Sequence, residues 1–212
     1  MIQRVQDRSP GDLRVDGGEA PLRLRDGRTV LVRAVGPEDH AAVAALYGGL
    51  SPHSIAMRFG AARRGVSADE VAALVGAPDQ RGLGLICVAG GEAERAIALA
   101  RYDRTPGAPD AELSIAVADD WQGLGVGTDV LEVLLARASD DGIDALWGIV
   151  RPDNFPMLIV FRALGCEERE LRRQGEILVR LATPPDEGLN EAAASRFMHT
   201  SRSSLRPMFH PE

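Results

Sequence analysis

The stretch Ala111-Glu112-Leu113-Ser114-Ile115-Ala116-Val117-Ala118-Asp119-Asp120-Trp121-Gln122-Gly123-Leu124-Gly125-Val126-Gly127-Thr128 decides the fold. Leu113, Ile115 and Val117 recur at period two, with Glu112, Ser114 and Ala116 between them, which predicts a strand with two distinct faces. Asp119-Asp120 breaks it. From about Gly125 the period lengthens, and Val126, Val130, Leu131, Leu134, Leu135 and Ala138 share one broad apolar face of a helix. A glycine-rich turn between a strand and a helix gathers unpaired backbone N–H groups and the positive end of a helix dipole at one point. That arrangement suits a phosphate or pyrophosphate.

Two phosphate motifs are excluded by spacing. The turn has neither the Lys nor the glycines of GxxxxGK[ST]. A dinucleotide fingerprint needs GxGxxG and an acid after the next strand, whereas Gly123, Gly125 and Gly127 give GxGxG and the next strand is followed by Arg151. Gln122-x-x-Gly125-x-Gly127 instead resembles the pyrophosphate loop of the GNAT superfamily of N-acetyltransferases, Arg/Gln-x-x-Gly-x-Gly/Ala. The strand before it resembles that family's pantetheine-binding strand.

The surrounding chain is compatible with such an enzyme. Its 212 residues suffice for one domain with a substantial core. With 45% hydrophobic and 26% charged residues the composition is that of a soluble globular protein, and a net charge of -7 argues against nucleic acid as the main partner. The two cysteines, Cys87 and Cys166, form no CxxC and the four histidines are scattered, so no metal site is expected. Both cysteines read as buried small apolar residues in a reducing compartment. No apolar run is long enough to span a bilayer and the first residues lack the pattern of a secretion signal, which makes the cytoplasm the expected location.

Residues 1–21 are polar and aperiodic and read as a mobile arm. Residues 22–33 form two short runs around Asp26-Gly27, a hairpin signal. Gly36-Pro37-Glu38-Asp39 opens a helix with Ala42, Val43, Leu46 and Tyr47 on its apolar face. Ser51-Pro52 opens a second helix, and Ser67-Ala68-Asp69-Glu70 has the spacing of a capping box for a third. Helices at this place often wall an acceptor site in the resembling fold. On the residues alone they equally cover one end of a sheet. Strands are expected at 83–89, 95–102 and 143–150, a helix at 154–164 closed by Gly165, and a final pair of strands at 166–171 and 176–181.

Further motifs extend the resemblance over 22–181. Asn154-Phe155-Pro156-Met157 with Phe161 and Leu164-Gly165 resembles the family's Asn-x-x-Ala-x-x-Leu-Tyr-x-x-x-Gly-Phe segment. Met157, Val160 and Cys166 depart from it but stay apolar. Arg25-Asp26-Gly27-x-x-Val30, Leu50-Ser51-Pro52-x-Ser54 and Arg58-Phe59 resemble the protein-lysine acetyltransferases of the Pat type, which act on AMP-forming acyl-CoA synthetases.

The resemblance implies an α/β (α+β) GNAT fold over 22–183. Its mixed, mostly antiparallel sheet would be flanked by helices and splayed at the cofactor strand. It implies acetyl-CoA as cosubstrate, a protein lysine as acceptor (an acyl-CoA synthetase as partner), and Glu112 as general base. The backbone of Ile115, Ala116 and Val117 would align pantetheine. Gln122, Gly123, Leu124, Gly125, Val126, Gly127 and Thr128 would hold the pyrophosphate, and Asn154 would hold pantetheine or a water. Asn154 reads equally as a helix N-cap. Phe161 stands where many relatives carry a proton-donating Tyr; a phenyl ring cannot donate, so it would only pack on the cofactor. Residues 184–212 read as a mobile tail or linker, and 204–212 resemble the segment before the CoA-binding domain of ADP-forming acyl-CoA synthetases, which implies a longer bifunctional protein; a plain tail is the alternative. Two other functions fit the same motifs: acetylation of a small-molecule amine, and non-catalytic sensing of acyl-CoA.

Overall fold

The Asp26-Gly27 signal closes the first hairpin. Gly27 takes a left-handed φ of 89°, and the Leu24 N–H reaches the Arg28 carbonyl at 2.8 Å. The computed structural model describes residues 20–184 apart from 25, 62, 64, 77–81, 91–93 and 172–174. The arm and tail expected at the two ends lie almost wholly outside the described residues, as does Arg25. Strand β1 (Ala20–Arg23) begins two residues inside the expected arm and pairs antiparallel with β2 (Thr29–Ala34).

A 3-10 turn at Pro37–Asp39 leads into α1 (His40–Gly48). Asp39 is 5% exposed yet charged, because Arg33 grips its carboxylate with two bonds of 2.7 Å and the Gly36 N–H adds a third at 3.0 Å. This knot fixes where β2 ends and the helical layer starts. Helix α2 (Pro52–Phe59) is capped by Ser51, whose hydroxyl accepts from the Ser54 N–H at 3.2 Å. Helix α3 (Ala68–Leu74) has the anticipated capping box, with Glu70 N–H to Ser67 at 3.3 Å and Ser67 N–H to Glu70 at 2.8 Å.

The remaining elements are β3 (Gly82–Ala89), β4 (Arg95–Arg104), β5 (Asp110–Val117), α4 (Val126–Asp140), β6 (Ala145–Val150), α5 (Phe155–Ala163), β7 (Glu167–Glu170) and β8 (Ile177–Ala182). They build one sheet in the order β1-β2-β3-β4-β5-β6-β8-β7. Every neighbouring pair is antiparallel except β5 and β6. The mixed, mostly antiparallel sheet is the one expected. Strand β6 starts two residues later than the sequence period suggests, because Ile143 is a buried loop residue below the sheet.

Two cores lie on opposite faces. On one face α4 and α5 bury Val130, Leu131, Leu134 and Phe161 against Leu85, Ile97 and Leu113. On the other, α1, α2 and α3 bury Val43, Tyr47, Ile55 and Val71 against Ile86, Leu99 and Ala116. The second core draws no residue from β6, β7 or β8, so that part of the face carries exposed apolar surface, with Ile149 53% exposed. Cys87 is buried as anticipated. Cys166 is not: it sits half-covered before β7, with its sulfur 3.8 Å from Glu168 Oε1. Chain direction explains the difference, since the residue follows the Gly165 turn and precedes a charged edge strand.

The Arg33–Asp39 knot yields a stability prediction. Arg33 chiefly, opposed by burial, holds the Asp39 carboxyl below its ordinary 3.8. A lowered native pKa stabilises the fold above the unfolded value and loses that stability as pH falls through the native one. Asp39→Ala is expected to cost about 2–3 kcal/mol at neutral pH. The deficit relative to the parent chain, measured by urea unfolding, should shrink as pH is taken below about 4.

Candidate active site

Strand β5 is two-faced in the way its period predicts. Ala111 and Leu113 enter the α4 side, and Ile115 and Val117 pack partly against the same core. Ala116 enters the α1–α3 side, and Glu112 and Ser114 alternate with the first set onto that side. Parallel pairing with β6 runs over Asp110↔Ala145, Ala111↔Leu146 and Glu112↔Trp147 and stops. Beyond it β5 continues to Val117 against β4, while β6 continues to Val150 against β8. The two strands therefore fork immediately after Glu112, which is the expected splay. From Leu113 to Val117 the β6-side backbone edge of β5 has no strand partner, a place where an extended ligand with amides can add like a strand.

At the crotch of the fork stands Gly148. A Cβ there would meet the Leu113 carbonyl oxygen at 3.3 Å, so the glycine lets β6 approach before the strands part. Glu112 lies at this crotch as an exposed carboxylate. Its register partners are Trp147 on β6 and Asp103 on β4. Arg101 binds Asp103 through two bonds of 2.9 and 2.5 Å and also donates to the Ala73 and Leu74 carbonyls at 2.7 and 2.9 Å. That guanidinium caps the C-terminus of α3 and neutralises the acid beside Glu112.

The other end of β5 feeds the glycine loop. A bulge in β4 at Ile97 falls where Ala118 donates to the Ile97 carbonyl at 2.8 Å, so the strand is turned at its exit. After a 3-10 turn at Asp119–Trp121, Gly123 and Gly125 adopt φ of 73° and 93°. Only glycine takes these values without strain. Gly125 is the N-cap of α4, and Asp129 is the first residue whose N–H reaches back, to Gly125 O at 3.0 Å. The N–H groups at the start of the helix thus have no intrahelical acceptor and sit at its positive end. Gly127 brings this turn onto β5: a Cβ there would stand 3.8 Å from Val117 Cγ2 and 4.0 Å from Ile115 Cδ1, ordinary contacts that alanine also satisfies. The loop and the open edge of β5 form one continuous track from Gly123 to Glu112, about 17 Å of it along the strand. The residues present suit an extended, pyrophosphate-bearing coenzyme.

Not every expected residue points at that track. The Gln122 N–H is spent on the Asp119 carbonyl at 3.3 Å, and its side-chain amide turns back to Val117 O and Asp119 Oδ1, both at 3.1 Å. Asn154 is an N-cap: its Oδ1 accepts from the Met157 N–H at 3.3 Å at the head of α5. Phe161 is 3% exposed and belongs to the main core. The two tyrosines are equally remote from solvent, and the Tyr102 hydroxyl is committed to Asp141, burial and that carboxylate pushing its pKa up.

Residues that the spacing did not single out complete the surroundings. Asp119 accepts from the Ser51 N–H at 2.6 Å and from the Ser54 hydroxyl. Burial works to raise its carboxyl, and these donors outweigh that and hold it below the ordinary value. Asp120 is bound by Arg95 at 2.7 and 3.0 Å, and Arg28 lies 3.9 Å over the Trp121 ring. The only local signal for them was a pair of acids ahead of a helix.

Residues 29–167 match the family model described as an acetyltransferase (GNAT) domain. An acetyltransferase of Pseudomonas aeruginosa is 25% identical over 177 residues, covering 82% of this chain and 95% of its own. Among solved structures, the GNAT domain of S. lividans PAT superposes with a TM-score of 0.71 at 31% identity, over 77% of this chain and 96% of that one. Mycobacterium smegmatis RimJ in complex with CoA-disulfide gives a TM-score of 0.56 at 19% identity, over 87% and 94%. The glycine loop, the forked strand and these matches converge: the chain belongs to the GNAT family and is an N-acetyltransferase that uses acetyl-CoA.

Proposed function

We propose that the chain transfers acetyl from acetyl-CoA to a lysine side chain of a protein, with Glu112 as general base. The observation that carries this reading is the place of Glu112. It is an exposed carboxylate where β5 and β6 part, on the face shared with α1, α2 and α3. Coenzyme A would lie with its pyrophosphate on the N–H groups of 123–128 and its pantetheine amides along Ile115, Ala116 and Val117. Its thioester would then come to the crotch. Acetyl-CoA supplies the activated acyl group.

A lysine ammonium, with a pKa of roughly 10.4 in solution, must lose a proton before it attacks. Glu112 takes that proton, directly or through a water. The face from which the amine arrives is open on the β6 side, where Trp147 and the 53%-exposed Ile149 lie in line with Glu112. An open apolar floor suits a folded protein better than a small amine, which a closed pocket would serve. The Pat-type resemblance of Leu50-Ser51-Pro52-x-Ser54, together with the likeness to the S. lividans domain, points to an acyl-CoA synthetase as acceptor. With Phe161 buried and both phenols committed to the core, the coenzyme leaves as a thiolate; thiols titrate near 8.5, so it departs without a donated proton.

The chain contains no lysine, so every acetylated lysine in a reaction mixture belongs to the acceptor. Incubation with acetyl-CoA and a panel of AMP-forming acyl-CoA synthetases should label a synthetase lysine; labelling of free amines alone would establish the small-molecule reading. Glu112→Gln is expected to lower kcat about 100-fold or more with little change in acetyl-CoA affinity, and to regain rate as pH approaches about 10, where the amine deprotonates unaided. An unchanged kcat would remove Glu112 from the mechanism.

The loop makes a separate prediction. A Cβ at Gly125 opposes φ 93° at a cost of about 1–2 kcal/mol and re-aims the helix N–H groups. Gly125→Ala should weaken acetyl-CoA binding roughly tenfold by titration calorimetry, and more than Gly127→Ala, whose added methyl meets only ordinary contacts.

A further inference from the structure

Three successive residues ahead of the coenzyme loop are tied to three different elements. Trp121 lies under Arg28 of the β1–β2 hairpin, and Asp120 is held by Arg95 at the start of β4. Asp119 reaches across into the helical layer. Its Oδ2 accepts from the Ser51 N–H at 2.6 Å and its Oδ1 accepts from the Ser54 hydroxyl. The same Oδ1 accepts from Gln122 Nε2 at 3.1 Å, and that amide also donates to Val117 O at 3.1 Å and to Ser54 Oγ at 3.3 Å. One carboxylate therefore joins the cap and first turn of α2 to the first residue of the loop, and through the Gln122 amide the network reaches the last residue of β5.

Helix α2, like α3 with its single buried Val71, is lightly held. It has eight residues, too few for an independent helix, and Ile55 is its only buried residue. Ile55 packs in the core that also contains Ala116 and Ala118 of β5 and the residue after it. The helix lies on the Glu112 face and packs against β5. Helix α2 thus stands against the strand that carries Glu112, and its Ser51 and Ser54 donors to Asp119 add a polar attachment to the apolar one of Ile55.

We propose that Asp119 is a positioning residue that couples α2 to the coenzyme loop, so that seating a pyrophosphate on 123–128 also fixes the wall against which the acceptor arrives. Closing the loop on an anion orders Gln122, and Gln122 shares its acceptor with Ser54. Ordering one end of the network lowers the cost of ordering the other. Linkage makes the effect reciprocal: an α2 that cannot bind Asp119 weakens coenzyme binding although it never touches the coenzyme. This inference rests on the reading of 123–128 as the coenzyme loop.

Amide hydrogen exchange on the full chain, with and without saturating CoA, separates the two ideas. In the parent chain CoA should slow exchange in 123–128 and also in 52–59. Ser54→Ala should keep the first effect, lose most of the second, and bind CoA roughly three- to tenfold more weakly. Ser54→Thr, which keeps the hydroxyl, should restore both. Asp119→Ala should abolish protection of 52–59, and adding Ser54→Ala to it should cost nothing more in CoA affinity. A clamp that only stabilised the fold would speed exchange with and without CoA and leave the difference between them intact, which would overturn the proposal. Protection of the loop with no change in 52–59 of the parent chain would overturn it as well. No protection of 123–128 would defeat the coenzyme reading itself, and the coupling with it.

Discussion

The fork between β5 and β6 is the constraint on which the rest of the site depends. A parallel pair needs a long crossover, and here α4 supplies it beneath the sheet. The two strands share only three register pairs before β5 follows β4 and β6 follows β8. Backbone donors and acceptors without a ladder partner are costly unless water or a ligand meets them. The fork leaves such a row facing a gap, and the glycine loop lies at its far end. The catalytic candidate needs no special environment of its own. Glu112 is placed by being the last residue of β5 that still pairs with β6.

The elements were legible because period and punctuation agree. Leu113, Ile115 and Val117 at period two became β5, and the Val126 to Ala138 face became the buried side of α4. Ser51, Ser67 and Gly165 cap where their chemistry predicts. The fork was legible only through the family resemblance, since periodicity says which face a residue takes and nothing about its neighbouring strand. Gly148 is the one residue whose identity records the close approach, and in isolation it reads as an ordinary strand glycine.

What the sequence hid are contacts of long separation and the direction of side chains. Asp119 meets Ser51 and Ser54 across 68 and 65 residues. In sequence it is one acid in a breaker, and its neighbours read as caps. Gln122 looks like part of a phosphate grip but folds back on the strand that precedes it. Asn154 keeps its capping role at the head of α5, and Phe161 is claimed by the core before any ligand. Where a residue has a local structural use, the folded chain has taken it.

A chain of charge -7 binds a polyanion, and the loop contributes no basic side chain to the task. Acids even crowd its entrance at Asp119 and Asp120. Each of these is met by donors: Asp119 by Ser51, Ser54 and Gln122, Asp120 by Arg95. The Arg95–Asp120 pair is more than half exposed and contributes little to stability. It does offset that carboxylate's charge at the entrance of the loop. With the entrance neutralised in this way, the field a phosphate meets is that of the α4 N-terminus and its unpaired N–H groups, which act over the first turn only. Global charge therefore argues about bulk partners such as nucleic acid, and on the proposed reading of 123–128 recognition of the coenzyme would be decided within a few ångströms of Gly125.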